Sequence, residues 1–260
     1  MLHRNTTVPM TVASGRLRKA MSPASSNSPP AIVTFVVYLL TMAPGVTGLD
    51  SAELATGAHT LGIVHPTGYP LYLLLGKLFT LLPIRSVAYR MNLMSAVFAA
   101  LTVWIVTCIA TRMSRNRWAS WLGAGALGFS YSFWGLAVVA EVYTLHVFML
   151  ALTLLMLLRW RDSENDRWVM AGALVYGLSL TNHVSGVLFF PAFLWFLIKQ
   201  AGLKRLLRLS PKLIVLMGLG LSVYLYLPLR DQAGVALNYV RSYYGVDLTT
   251  ASGIWWMISG

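Results

Sequence analysis

The sequence predicts an all-α membrane protein that crosses the bilayer several times. Hydrophobic residues make up 57% of the 260 positions and charged residues 11%, less than half of the roughly 25% that is typical of soluble domains. The apolar residues fall in long blocks, and the basic residues lie in short clusters between those blocks. The net charge of +12 therefore reflects membrane topology rather than a nucleic-acid-binding face, and we expect no nucleic-acid partner.

The first 30 residues predict a disordered, basic, cytoplasmic tail. They contain four cations and many Ser, Thr and Pro residues, without a periodic apolar pattern. A cleaved signal peptide is the alternative, because an apolar run begins at Ala31. Pro44 would obstruct cleavage after Ala43, which argues against that alternative.

Seven segments have nearly the length and composition of a transmembrane helix, which needs about 20 mainly apolar residues. They are 31–48, 91–111, 118–139, 142–158, 168–182, 184–198 and 213–229. With a cytoplasmic N-terminus, 15 of the 20 Lys and Arg residues lie on the cytoplasmic side, as the positive-inside rule requires. We therefore expect about seven transmembrane helices within a domain covering 31–229.

Two stretches need separate treatment in this topology. Residues 69–83 are apolar but short and contain Lys77, so we expect a helix in the outer interface, within a first external loop at 49–90. Residues 168–198 would form about 46 Å of helix, whereas two full spans need about 60 Å. We therefore expect two short helices that meet in a buried turn at 181–183, next to a recess.

Five of the eight acidic residues lie on the predicted outer side of the membrane. Asp50 and Glu53 are three residues apart, which places both carboxylates on one side of a helical turn. A helix N-cap with a capping box remains the alternative. Glu141 lies at a break between two apolar segments, and it is either functional or a charged turn residue that reaches water.

The other candidates follow the same distribution. His65 and Tyr69 lie in a turn-rich segment with two prolines, and Asn182 and His183 lie in the predicted buried turn. Arg230 ends the last clear apolar helix, as an interfacial anchor or as a phosphate ligand, since guanidinium matches phosphate geometry. No P-loop, dinucleotide fingerprint or zinc motif occurs, and the only cysteine, Cys108, lies inside an apolar block.

An ordered set of short motifs resembles a known family. The motifs are Gly48-Leu49-Asp50-Ser51-Ala52-Glu53, His65-Pro66-Thr67-Gly68-Tyr69-Pro70-Leu71-Tyr72, Arg90-Met91-Asn92-Leu93, Ala140-Glu141-Val142-Tyr143-Thr144-Leu145, Asn182-His183 and Tyr226-Leu227-Pro228-Leu229-Arg230. Together they resemble the bacterial relatives of the transmembrane protein 260 family, which are protein O-mannosyltransferases of the C-type glycosyltransferase (GT-C) superfamily. The resemblance covers about 45–230.

This resemblance implies a GT-C-like membrane enzyme with an external active site, in a bacterial plasma membrane. It would move a hexose, such as mannose, from a polyprenyl-phosphate donor to a hydroxyl of a protein or glycan acceptor, with inversion. An acidic residue in the first external loop is central to catalysis in such enzymes, and Asp50 matches it. Family members generally continue for several more helices, so we expect 230–260 to be an external segment and the start of a further helix in a truncated product.

The remaining roles are hypotheses built on that resemblance. Asp50 would be the general base, Glu53 or Glu141 would orient the acceptor or hold a divalent cation if one is needed, and Arg230 with His65 would stabilise the departing lipid phosphate. Asn182, His183 and Tyr69 would contact substrate. A multi-span transporter or lipid flippase, or an inactive fragment acting as a scaffold, remains an alternative.

Overall fold

The computed structural model describes residues 27–48 and 50–259, and these residues form an all-helical protein. Its α-helices are α1 (Pro29–Thr41), α2 (Ser51–Thr60), α3 (Pro70–Thr80), α4 (Val87–Ser114), α5 (Arg117–Gly128), α6 (Tyr131–Ala137), α7 (Tyr143–Ser163), α8 (Arg167–Asn182), α9 (Phe190–Leu221), α10 (Tyr226–Gln232), α11 (Tyr239–Tyr244) and α12 (Ala251–Ser259). Two 3₁₀ segments, Val184–Phe189 and Ser222–Leu225, flank α9. The predicted disordered tail lies almost entirely outside the described residues.

Three helical stretches are long and apolar enough to cross a membrane. They are Val87–Ser114, Tyr143–Ser163 and the continuous stretch Val184–Gln232, while Pro29–Thr41 and Pro70–Thr80 are shorter apolar helices. The expected apolar, all-α membrane protein is thus confirmed at this level. Two of the expected spans differ in length or continuity: α1 ends at Thr41 instead of near residue 48, and the segment 118–139 is interrupted between α5 and α6.

The helical stretch Val184–Gln232 is interrupted at Gly202, whereas the sequence predicted a loop across 199–212. The basic segment 199–212, expected as a cytoplasmic loop, is helical except at Gly202, whose φ of 69° and ψ of 158° interrupt α9. Both halves of α9 pack on α8, since Phe193 contacts Tyr176 and Met217 lies against Gly177. The chain therefore reverses near Gly202 into two antiparallel helical halves.

The break between α8 and the following 3₁₀ segment confirms the predicted turn at 181–183. His183 has extended backbone angles (φ −155°, ψ 121°), which ends α8 after Asn182. Thr181 and Asn182 are fully buried. An interruption of helical backbone enclosed by protein is the arrangement that membrane depth tolerates.

Residues 50–90, which the sequence predicts to be an external loop, fold onto the main helix bundle through a buried core. Leu54 of α2, Tyr72 of α3, Met91 of α4, Leu145 of α7 and Leu227 of α10 belong to one buried cluster, and each is at most 1% exposed. Because five helices contribute to this core, α2 and α7 are anchored in the same buried cluster. This shared core positions the candidate site.

Candidate functional site

Glu53 and His65 form the centre of the site. Glu53 lies in the first turn of α2, and the left-handed residue Leu61 (φ 52°) reverses the chain after this helix. One carboxylate oxygen of Glu53 accepts the backbone N–H of His65 at 2.8 Å, and the other lies 2.7 Å from His65 Nδ1. This hydrogen bond raises the pKa of His65, assisted by the charges of Glu53, Asp50 and Glu141 and opposed by burial.

The capping-box interpretation of Asp50 and Glu53 is wrong. Asp50 occupies the N-cap position of α2, but its side chain makes no capping hydrogen bond. Both oxygens of Glu53 bind His65 instead of the helix N-terminus. The three-residue spacing therefore serves side-chain contacts between the loop and the helix rather than helix initiation.

Asp50 and Tyr69 complete the group around the imidazole. Asp50 Oδ2 lies 3.6 Å from His65 Nε2, and the Asp50 side chain is 53% exposed. The Tyr69 hydroxyl lies 3.0 Å from the same ring nitrogen and donates to Pro66 O at 3.1 Å. Asp50, Glu53 and His65 each offer a potential metal-ligand atom within 4.8 Å of the others.

Glu141 reaches this group from the short connection between α6 and α7. Its backbone N–H donates to Ser95 Oγ at 3.3 Å, and its side chain is almost fully buried, with the residue 3% exposed. Burial, and then the negative charge of Asp50, raise the pKa of Glu141 to about 7, while the charge of His65 lowers it.

The predicted buried turn contributes a second histidine beside the first group. His183 stacks on Tyr69 with ring centroids 5.8 Å apart, and it also faces Tyr143 at 5.5 Å. Burial and the charge of His65 lower the pKa of His183. Asn182 donates to Val142 O at 3.2 Å, which ties the turn to the residue after Glu141.

Arg230 is not brought to the carboxylates. Its Nε donates to Leu61 O at 2.7 Å and its Nη2 to Thr60 O at 3.3 Å, both at the C-terminal end of α2. Asp50 lies at the opposite end of this ten-residue helix, about 15 Å away at 1.5 Å per residue. A cation at this position donates hydrogen bonds to carbonyls that the helix leaves free, and it interacts favourably with the negative end of the helix dipole.

Two residues that sequence reasoning did not select also lie at the site. The Tyr239 ring meets His65 edge-on at 6.2 Å, and Tyr239 N–H donates to Ile63 O at 2.8 Å. His146 faces His183 at 5.2 Å, and the Ser185 hydroxyl lies within 3.3 Å of it. His146 follows Glu141 by five residues, a spacing that does not put two side chains on one helix face, and no local pattern links Tyr239 to a histidine 174 positions earlier in the chain.

Comparison with known proteins identifies the same family that the ordered motifs resemble. The family described as "Protein O-mannosyl-transferase TMEM260 N-terminal domain" matches residues 50–205, a range that contains the candidate site residues except Arg230 and Tyr239. The mouse protein O-mannosyl-transferase TMEM260 is 36% identical over 224 residues, which are 84% of this chain and 31% of the mouse protein. The Dictyostelium discoideum protein of the same name is 28% identical over 210 residues, 74% of this chain and 26% of its own.

The chain thus spans less than a third of the length of these two relatives. No solved structure matches the chain.

Proposed function

The chain belongs to the TMEM260 family of protein O-mannosyl-transferases, and from this premise we propose that it is an integral-membrane glycosyltransferase. It moves a hexose, mannose by analogy with its relatives, from a polyprenyl-phosphate donor to a hydroxyl of a polypeptide acceptor. The observation that carries the proposal is the convergence of Asp50 and Glu53, from the start of α2, and of Glu141, from the connection before α7, on His65. Carboxylates and an imidazole in one pocket are the groups that activate a hydroxyl and stabilise a leaving phosphate.

Asp50 acts as the general base in this proposal. It is the most exposed of the three carboxylates, and it is therefore the one that a large acceptor reaches. As the acceptor oxygen forms its bond to the anomeric carbon, the hydroxyl proton passes to Asp50 and the bond from that carbon to the phosphate oxygen breaks. Attack opposite the departing phosphate inverts the anomeric centre.

The leaving phosphate was predicted to contact both His65 and Arg230. In this proposal His65 alone stabilises it. Glu53 holds one ring nitrogen, which raises the pKa of His65 and favours the positively charged imidazolium. That charge lies beside Asp50, whereas the guanidinium of Arg230 binds carbonyls at the far end of α2. The buried carboxyl of Glu141 orients the acceptor or the sugar by hydrogen bonding.

The topology in this proposal has seven passes and an external site. The passes are α1, α4, α5 with α6, α7, α8, the helical residues before Gly202 and those after it. The charges support this orientation, because Arg112 pairs with Asp162 and Arg205 with Asp166 at one end of the bundle, whereas the carboxylate group lies at the other. The 21 residues of α7 join the two ends over about 30 Å, the thickness of a hydrocarbon core.

A transfer assay on the purified chain in lipid nanodiscs tests the function. Radiolabelled mannosyl polyprenyl phosphate and a pool of threonine-containing peptides are expected to yield labelled peptide. Asp50→Asn should lower the rate by about 10²–10⁴-fold, the usual contribution of a general base. Asp162→Asn, at the opposite end of the bundle, is the matched control and should leave the rate unchanged.

Other outcomes would reject the proposal. Movement of intact donor across a vesicle membrane without labelled peptide would identify a flippase. Absence of both activities, while a reference mannosyltransferase works under the same conditions, would indicate a scaffold. Full activity of Asp50→Asn would remove the base role from this residue.

A further inference from the structure

A row of aromatic side chains leads away from the carboxylate group. It starts at Tyr239, whose ring meets His65, and divides there: Tyr243 lies on one side, and Tyr244 followed by Trp256 on the other; these four residues are called the aromatic row. Ring centroids are 4.5 Å apart between Tyr239 and Tyr243, 6.1 Å between Tyr239 and Tyr244 and 4.9 Å between Tyr244 and Trp256. Tyr243 is 74% exposed and Tyr244 is 54% exposed.

The aromatic row is exposed, yet its backbone is firmly held. The side chain of Asp231, which is fully enclosed, accepts from Asn238 Nδ2 at 2.7 Å, Arg241 Nη2 at 2.7 Å and Leu248 N–H at 2.9 Å. Ile63 N–H donates to Leu237 O at 2.8 Å, which joins the same segment to the loop before His65. Rings fixed in advance lose little entropy when a ligand covers them, and exposed tyrosines on a rigid support are typical of binding surfaces.

The length of the aromatic row favours a chain as its ligand over a single sugar. One hexose covers one ring, whereas an extended polypeptide advances about 3.3 Å per residue and would cross the aromatic row with several residues. The site end of the row also has negative charge, since His65 is the only cationic partner of Asp50 and Glu53 among the described residues. An uncharged or basic polypeptide fits this surface better than an acidic one.

We propose that the aromatic row binds the acceptor polypeptide, which lies extended across it with its hydroxyl-bearing residue beside Asp50. This inference rests on the proposed transferase function and names the partner of the same site. Interfacial aromatic residues that only anchor a protein in lipid need no contact with a titratable group. Tyr239, in contrast, joins the row directly to His65.

Kinetics of single tyrosine variants test the inference. The probe is a pool of twelve-residue peptides with threonine at the sixth position and random flanking residues. Tyr243→Ser and Tyr244→Ser should each raise the apparent KM for the pool by about ten-fold, with kcat at saturating peptide and the KM for the donor unchanged. Tyr131→Ser, which removes a 96% exposed tyrosine outside the row, is the matched control and should change none of these constants.

Equilibrium binding separates failure of this inference from failure of the transferase proposal. The fluorescent peptide pool, added without donor to the chain in nanodiscs, should bind the wild type about ten-fold more tightly than Tyr243→Ser, whether or not transfer occurs. A pool with aspartate and glutamate flanks should bind more weakly. The inference would be overturned if the wild type did not bind the pool, or if Tyr243→Ser and Tyr244→Ser bound it as tightly as the wild type. It would also be overturned if these variants inserted poorly into the membrane but kept an unaltered KM for the peptide pool. Each result would count against the inference even if transfer itself is observed.

Discussion

At the scale of single residues, the site depends on how Glu53 and His65 share a proton. The hydrogen bond between them is the largest cause of the raised pKa of His65, and burial opposes it. Because the folded pKa is raised, the pair stabilises the fold fully below the unfolded pKa of about 6.5. This contribution is lost as the pH rises through the higher pKa of the folded state.

Replacement of Glu53 should therefore lower the pKa of His65. In Glu53→Gln the strongest stabilising contact with the imidazolium is lost while burial of the ring remains. The shift is measurable by NMR titration of ¹³C-labelled histidine in detergent micelles. Asp50→Asn, which removes only a weaker charge interaction, should lower the pKa by less, and an equal effect of both variants would contradict this order of causes.

Glu141 should make the protein less stable as the pH rises. Its folded pKa of about 7 exceeds the ordinary value of 4.5, so the folded state binds more protons between these values and the free energy of unfolding falls across that interval. Glu141→Gln keeps the shape without the charge. We expect this variant to match the wild type near pH 4 and to exceed its stability by about 1–3 kcal/mol at pH 8.

Thermal unfolding in detergent at several pH values measures this difference. Glu164→Gln replaces an exposed carboxylate at the other end of α7 and provides the control. A pH-independent difference between Glu141→Gln and the wild type would show that ionisation of Glu141 is not the cause.

At the scale of elements, the sequence predicted helix positions better than helix interruptions. The turn at 181–183 was predictable because the apolar stretch was too short for two full spans. The interruption between α5 and α6 lies at Phe129–Ser130, inside an apolar segment that has the length of a single transmembrane helix. The reversal in α9 depends on the backbone angles of Gly202, whereas the cationic residues around it are compatible with helix.

The same limit applies to the candidate site. Asp50, Glu53, His65 and Glu141 were predictable because charges are rare in this chain and their positions were therefore informative. Contacts between distant segments were not predictable. Arg230 was expected at a phosphate, but its partners are two helix carbonyls, a type of contact that leaves no pattern in the sequence.

Close packing of α8 on α9 makes Gly177 sensitive to substitution. A Cβ atom there would lie 2.2 Å from Met217 O, a backbone atom that cannot rotate away. Gly177→Ala should therefore separate the helices and lower the stability by about 1–3 kcal/mol. Gly218→Ala, whose Cβ would meet nothing within 4 Å, should be neutral or stabilising, since alanine favours helix.

Thermal unfolding of both glycine variants in the same detergent checks this expectation. Equal stability of Gly177→Ala and Gly218→Ala would mean that the two helices are not in backbone contact in the folded protein.

At the scale of the whole molecule, charges of different kinds lie at the two ends of the bundle. Ion pairs such as Arg112–Asp162 and Arg205–Asp166 lie at one end, and carboxylates that pair with no arginine of the described residues lie around His65 at the other. The positive-inside rule predicts that the cation-rich end faces the cytoplasm, and the proposed function accordingly has an external site. The proposed chemistry requires this polarity, because the donor, the acceptor and Asp50 must be on the same side of the membrane.

Cysteine labelling from one side of the membrane tests the polarity. Cys108 is the only cysteine, so Cys108→Ser gives a background without thiols. Ser163→Cys and Ser242→Cys are nearly isosteric changes at exposed positions, one at the end of α7 and one in α11. A maleimide that cannot cross lipid, added outside intact cells, should label position 242 and leave 163 unlabelled until the membrane is permeabilised.

Three proposed passes separate these two positions: α8 and the two halves around Gly202. An odd number of crossings places 163 and 242 on opposite sides, so labelling of both from outside would mean that one of these helices does not cross. Labelling of 163 alone would place Asp50 and the aromatic row in the cytosol. In that case an external polyprenyl-phosphate sugar could not meet its base, and the proposed reaction would fail even though the geometry of the site were correct.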